Sequence, residues 1–562
     1  MWYRTLGALT CLLTAACDMK REAGERAGGA VTLAIVNARV WTGNQQRPWA
    51  DAVAMAGDRI TAVGSSAEIR KLAGNAELVD AGGRMVVPGF IDAHVHFIDG
   101  GFGLSSVQLR DASTKEEFVR RIGAFAQTVP AGTWITNGDW DHTLWGGELP
   151  AKEWIDSVTP NHPVFINRLD GHMSLANTAA LAAGQVTRAT PTPAGGEIVK
   201  HPNGDPTGVL KDNAAELVAK VMPLPSDEME DRALDAAMAY VASHGVTSVH
   251  HMGALGPGGA WNELGIFRRA LAAGRLKTRI YAAVPLSEWE ALRDTIAASG
   301  RGDAWLRIGM LKGFVDGSLG SHTAAMFEGF TDKPSDTGLF ITPPETLYAR
   351  VKGADSAGLH VAVHAIGDRA INTQLGIFER VARENGVRDR RFRIEHAQHI
   401  GPNDLARFGE LGVIASMQPY HAIDDGRWAD RVIGAERASR TYAFRSLLDL
   451  NATVAFGSDW FVAPATPLEG IYAAVTRRTL DGRNPDGWVP DQKITVEEAL
   501  RAYTTGSAYA SFEEAEKGTL EVGKLADLVL IDQDLTRLTP AELKDAKVMM
   551  TVVGGKVVYR RP

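Results

Sequence analysis

The chain has 562 residues, more than one compact core accommodates, so two or more structural units are expected. Hydrophobic residues make up 45% and charged residues 22%, which excludes a disordered chain. The formal net charge is -8, so no basic field exists for nucleic-acid phosphates, and that class of partner is excluded as an expectation.

The N-terminus reads as an export signal. Arg4 supplies a positive start, and 6–16 is an apolar run too short to span a bilayer. The segment LTAAC, ending at Cys17, resembles a bacterial lipobox, although Thr14 stands where an aliphatic residue is commonest. Lipidation of Cys17 and ordinary signal cleavage both remain open. A lipidated Cys17 implies an exported, periplasmic protein anchored to a membrane through its N-terminus alone. Asp18 resembles the inner-membrane retention signal of some lipoproteins. Cys11 and Cys17 are the only cysteines. The folded part therefore has neither disulfides nor thiolate metal sites, and any metal falls to His, carboxylates or a modified residue.

Residues 17–31 are polar and rich in Gly and Ala, and read as a tether. Short apolar runs punctuated by Gly, Asn and Asp follow over 32–87 and return over 510–562. The two ends together predict one small β-sandwich domain. Between them, 88–509 alternates strand and helix patterns. Strands are expected at 90–96, 245–251, 279–285, 306–313, 359–364, 392–396, 412–417 and 453–459. Helices are expected at 234–244, 344–355 and 370–385, among others. Eight strands with helical crossovers predict an α/β fold, a parallel (β/α)8 TIM barrel. Segment 103–225 is then an insertion after the first barrel strand, on the functional face. It carries Trp134, Trp140, Trp145 and Trp154, which read as core first and as a substrate wall second.

Polar ligand-type residues fall at the C-terminal ends of these strands, where a barrel builds its active site. His94 and His96 end the first strand two residues apart and so project to one side. Lys312 ends the fourth strand, His364 the fifth, His396 the sixth and Asp459 the eighth. Imidazoles and a carboxylate converging on one rim need a partner, and this donor set suits Zn²⁺, with Mn²⁺, Fe²⁺ or Co²⁺ as alternatives.

The motifs PGFIDAHVH, VAVHAIGDRA, RIEHAQ and AFGSDW, with the strand-end Lys, resemble the amidohydrolase superfamily. RLDGHMSLANTAAL, GDPTGVLKDNA and KGFVDGSLGSHTA are similar to its family 3 branch, which includes N-substituted formamide deformylases and YtcJ-like hydrolases. The resemblance covers nearly the whole chain from Thr32. It implies a first metal on His94, His96 and Asp459, and a second on His364 and His396. It also implies a carboxylated Lys312 bridging the two. A plain ammonium at Lys312, pairing with Asp316 or substrate, is the alternative, with a single metal. The implied reaction hydrolyses the C–N bond of an amide, N-formyl or cyclic amide. A metal acidifies water from a pKa of ~15.7 toward ~7, and Asp459 carries the proton to the leaving nitrogen.

Other residues are weaker candidates. His172 reads as a substrate contact or oxyanion donor, or else as a turn residue. Asp316 and His322 follow the fourth strand and are candidate substrate contacts, although the branch commonly has Arg at the place of His322. Asp170 and Asn177 read as turn and helix-cap residues, and Asp368 as orienting a loop. One of His250 and His251 reads as supporting a ligand. His142, His162, His201, His244, His360, His399 and His421 read as loop or surface residues. Two further functions stay open: a mononuclear aminohydrolase acting on a heterocycle, and a lipid-anchored binding protein on a dead barrel. A small-molecule amide is the expected partner, and a homodimer the expected assembly.

Overall fold

The computed structural model describes residues 29–253 and 258–562. The export signal, Cys17 and most of the tether lie outside the described residues. No helix among the described residues is long and apolar enough to cross a membrane.

Eight parallel strands form the central sheet: β1 (Phe90–Val95), β2 (Val246–His251), β3 (Arg279–Pro285), β4 (Leu306–Phe314), β5 (His360–Ala365), β6 (Arg393–His396), β7 (Ile414–Met417) and β8 (Val454–Phe456). They neighbour one another in sequence order. β1, β2 and β5 are buried along their whole length, as strands enclosed by helices must be. The seam between β8 and β1 closes through two backbone bonds beyond the ladder. Asp459 N donates to His94 O at 2.7 Å, and His96 N donates to Trp460 O at 2.6 Å. Gly457 permits this closure, because a Cβ there would lie 2.5 Å from His94 N. β8 is shorter than the expected 453–459, because the chain leaves the ladder after Phe456 to make this seam.

Helices pack outside the strands with apolar residues at helical spacing. Asp227–Ser243 buries Leu234, Ala237, Met238 and Val241, and its N-cap Ser226 accepts from Met229 N. Asp368–Asn385 buries Ile371, Leu375 and Phe378 in the same way.

Two further sheets flank the barrel ends of the chain. One has four strands, with Leu33–Val36 at its centre. The other has six and joins Met85–Pro88 directly to Leu528–Ile531 in antiparallel register. Leu33, Ile35 and Val53 from the first pack with Leu528, Leu530 and Val552 from the second. Residues from both ends of the chain thus share one core. Between β1 and β2 a five-stranded sheet is built on Met173–Ala176 and Pro206–Asp212. Its core includes Trp140, whose indole donates to Ile166 O.

Arg279 on β3 ties the barrel to the two-ended β layer. Its guanidinium donates to Asp527 at 2.7 and 3.0 Å, with both side chains buried. Asp527 also accepts from Gly554 N. Removing one partner strands a buried charge, so Asp527→Ala is expected to destabilise the protein by about 3–5 kcal/mol. A urea unfolding series with an unchanged midpoint would count against this reading of the contact.

Candidate metal centre

His94 and His96 project from the end of β1 toward the residue that follows β8. His94 Nε2 lies 3.3 Å and His96 Nε2 3.4 Å from Asp459 Oδ1. The other nitrogen of each ring is tied down. His94 Nδ1 meets Glu395 Oε2 at 2.7 Å, and His96 Nδ1 donates to Gly253 O at 2.8 Å. Glu395 is held by Arg393, whose guanidinium donates to both carboxylate oxygens at 2.7 and 3.1 Å. His396 packs against His94 and His364, with ring centroids 4.8 and 4.5 Å away. Its Nδ1 meets Gln418 Oε1 at 2.9 Å. His364 Nε2 donates to Gly317 O at 3.0 Å.

Two of these residues depart from strand geometry. His396 has φ of 74° and Asp459 of 62°, in the left-handed region. Period-two alternation would send Glu395 and His396 to opposite faces. The turn at His396 brings its ring to the same buried cluster that Glu395 supports.

Burial dominates the electrostatics. It lowers the pKa values of His94, His364 and His396 well below the ordinary histidine value, so these rings are neutral at pH 7. Burial also brings Lys312 down to about 8, against the pull of Glu395 and Asp459. Its Nζ lies 3.3 Å from His94 Nε2 and over the face of Phe314. Burial opposes ionisation of Asp459, but the imidazoles of His94 and His96 outweigh it and hold the carboxyl below its usual range.

These residues fit a divalent cation. Asp459 Oδ1 is buried without a hydrogen-bond partner. His94, His396 and Asp459 each offer a ligand atom within 4.8 Å of the others. Neutral imidazole and carboxylate are the donors that Zn²⁺ and its neighbours prefer.

The remaining candidates divide. His172 reaches the cluster from the insertion, its ring 4.8 Å from that of His364 and its Nδ1 2.6 Å from Asp212 Oδ1. Burial works to lower its pKa, but Asp212 and Asp170 raise it on balance. Asp316 instead holds a loop, accepting from the backbone N–H of Ala325, Ile366 and Gly367. It does not pair with Lys312, whose anionic neighbours are Glu395 and Asp459. His322 turns to Asp332 at 3.1 Å and packs on Phe330. Asn177 caps a helix by accepting from Ala180 N, and Asp368 accepts from the backbone N–H groups of Phe327 and Arg369. His250 supports Arg393 at 3.0 Å, and His251 pairs with Glu263 at 2.7 Å.

Sequence reasoning missed Glu395, Gln418 and His421. His142, His162, His360, His399 and His421 are buried, contrary to the expectation of loop or surface positions. His421 stacks on His396, with its Nε2 4.0 Å from Asp459 Oδ2. The signal for Glu395 was an acid inside an apolar strand, which needs a buried partner.

A cavity of about 570 Å³ opens over His96, Lys312, His364, His396 and Asp459. The insertion supplies Trp134, Phe165 and His172 to its wall, so Trp134 lines the cavity while Trp140 is core.

A parallel eight-stranded barrel with a buried His and Asp cluster at its C-terminal rim defines a metal-dependent hydrolase of the TIM-barrel type. Comparison with known proteins makes the assignment specific, because residues 77–559 match the family described as "Amidohydrolase family". The chain belongs to that family. It is 40% identical to Protein LONG AFTER FAR-RED 3 of Arabidopsis thaliana, over 95% of this chain and 92% of the relative. It is 30% identical to an N-substituted formamide deformylase of Arthrobacter pascens, over 94% of this chain and 98% of the relative. The crystal structure of an uncharacterized metal-dependent hydrolase from Pyrococcus horikoshii superposes with a TM-score of 0.73 at 28% identity, covering 91% of this chain and 99% of that one.

Glu395 fixes the orientation of His94, so Glu395→Gln is expected to weaken retention of a divalent cation about 10–100-fold. Competition against a chromogenic chelator measures this. Retention equal to the parent would mean that the carboxylate does not tune the ligand.

Proposed function

We propose that the protein hydrolyses a C–N bond of a small molecule, such as an amide, N-formyl or cyclic amide bond. The cation is zinc or a related divalent metal, held by His94, His96, His364, His396 and Asp459. The observation that carries this reading is the convergence of His94, His396 and Asp459 beneath a cavity large enough for a small-molecule substrate. When bound, such a cation acidifies water and polarises the substrate carbonyl. Asp459 accepts the proton of the attacking water and returns it to the leaving nitrogen. Its carboxyl is ionised at neutral pH, so an oxygen is open to a proton. His172 reaches over the cluster from the insertion and contacts the substrate. The name of the Arthrobacter relative, at 30% identity, supports chemistry at a C–N bond.

One observation favours a single cation. The tight donor group contains His94, His396 and Asp459 and not His364. In that case Lys312 remains an ammonium beside Glu395 and Asp459. With two cations it becomes a bridging carbamate. Elemental analysis gives the stoichiometry, and Lys312→Ala separates the two, since loss of a bridge would drop the count from two to one.

Asp459→Asn is expected to lower kcat by about 10²–10⁴-fold, and chelation to abolish turnover until zinc is restored. Turnover that persists without metal would sink the proposal. We also propose that Cys17 is lipidated after export. Metabolic labelling with a radioactive fatty acid should mark the full chain and be lost in Cys17→Ala, and labelling of the variant would refute the anchor.

A further inference from the structure

One short stretch of chain brings the cavity lining to the protein surface. Residues 220–226 join the helices Glu216–Ala219 and Asp227–Ser243, and Met222, Leu224 and Met229 line the cavity from there. Leu224 and Met229 are at the same time 63% and 47% exposed to solvent. They therefore stand at the mouth, where the lining passes into the outer surface. Val221, close by in the chain, is 41% exposed. Of the twelve exposed large hydrophobic side chains among the described residues, three thus fall within 221–229. Singly exposed apolar residues are ordinary, but a cluster of them at a cavity mouth marks a binding surface. Pro223 and Pro225 each fix one φ angle in this stretch and stiffen it.

The same cavity is walled by Phe102, Trp134, Phe165, Ile266 and Phe314, and it reaches His96, Lys312 and Asp459. The carboxylates buried along it are engaged by the protein itself. Asp170 meets Arg168 at 2.6 Å, Asp212 meets His172 at 2.6 Å, and Glu263 meets His251 at 2.7 Å. Glu230 accepts from Asn262 at 2.6 Å and from Arg269 at 3.1 Å, and Asp99 is partnered as well. Glu216 stands exposed. Among the described residues no arginine lines the cavity, and Lys312, beside His94, is its one lysine. An anionic tail therefore finds no arginine or lysine away from the cluster, whereas a hydrocarbon chain finds apolar side chains out to the surface.

We propose that the substrate carries a long hydrocarbon chain that runs along this wall to Leu224 and Met229, which set the preferred chain length. This rests on the C–N hydrolase reading above and names its substrate class, an amphiphilic amide with an uncharged alkyl chain. Either side of the C–N bond can bear the chain. Removal of the chain from water supplies the affinity, and the rim extends that burial beyond the interior of the cavity.

The test uses the zinc-loaded full protein and two homologous series. One bears the chain on nitrogen (N-butyl-, N-heptyl- and N-decylformamide), the other on the carbonyl (pentanamide, octanamide and undecanamide). A buried methylene is worth about fourfold, so kcat/KM is expected to rise at least about 100-fold from the shortest to the longest chain in the series cleaved. Leu224→Glu and Met229→Glu set a charge beside the chain and are each expected to cut that long-to-short ratio at least about tenfold. Val387→Glu changes a fully exposed valine outside the cavity and is expected to keep the parental ratio. Calorimetry with 1-butanol and 1-decanol, which have no bond to cleave, gives a second readout. Decanol is expected to bind at least about 30-fold tighter, and Leu224→Glu to remove most of that gain. Cleavage and binding independent of chain length, or a ratio lost equally in Val387→Glu, would overturn the chain assignment while leaving the hydrolase reading intact. Chain-dependent binding of the alcohols that Leu224→Glu removes, with neither series cleaved, would support the chain path and count against the C–N reading. A dimer in sedimentation that Leu224→Glu dissociates would give the rim to a second copy of the chain and overturn the proposal.

Discussion

The structure depends on one constraint: several imidazoles, a carboxylate and an amine are withdrawn from water at a single rim. In a low-dielectric interior each of them must be fixed by a partner. The chain meets this requirement one nitrogen at a time. Glu395 fixes His94, Gly253 O fixes His96, Gly317 O fixes His364 and Gln418 fixes His396. Arg393 in turn holds Glu395 and also donates to Ala93 O and Ser416. The barrel interior is thus a set of braces for the ring orientations above it, and the apolar shell outside keeps those braces dry.

Barrel and insertion divide the work. The barrel strands place the buried His and Asp cluster, and the insertion lines the cavity that opens over it. Trp134, Phe165 and His172 belong to the sheet and loops between β1 and β2, far in sequence from Asp459. Cluster and cavity wall therefore come from separate stretches of chain that meet only in the fold, as is common where function is grafted on a barrel.

Much of this was legible in the sequence. The barrel strands stood out because apolar runs ended in ligand-type residues. The spacing of His94 and His96 was a weak signal alone and gained weight from the ordered set of strand-end residues. The pairing of both chain ends in one β layer followed from their shared hairpin texture. What escaped was local. Nothing in RIEH states that the backbone turns left-handed at His396, so the cooperation of Glu395 with the cluster was hidden. His421 lies in the helix Pro419–Asp425 after β7, and its aim depends on where that helix docks. The same holds for Asp316 and His322. Both lie just past β4, yet one loop folds Asp316 onto three amides while His322 meets Asp332. Side-chain direction in loops is set by long-range packing, which residue patterns do not encode.

The junction of Met85–Pro88 with Leu528–Ile531 bears on how the polypeptide matures. One antiparallel neighbour of the early strand follows it by about 440 residues and so leaves the ribosome long after it. Until then an apolar strand edge at the root of β1 stands open, an invitation to intermolecular pairing. A holding chaperone, or passage across a membrane before folding begins, would shield that edge during the wait.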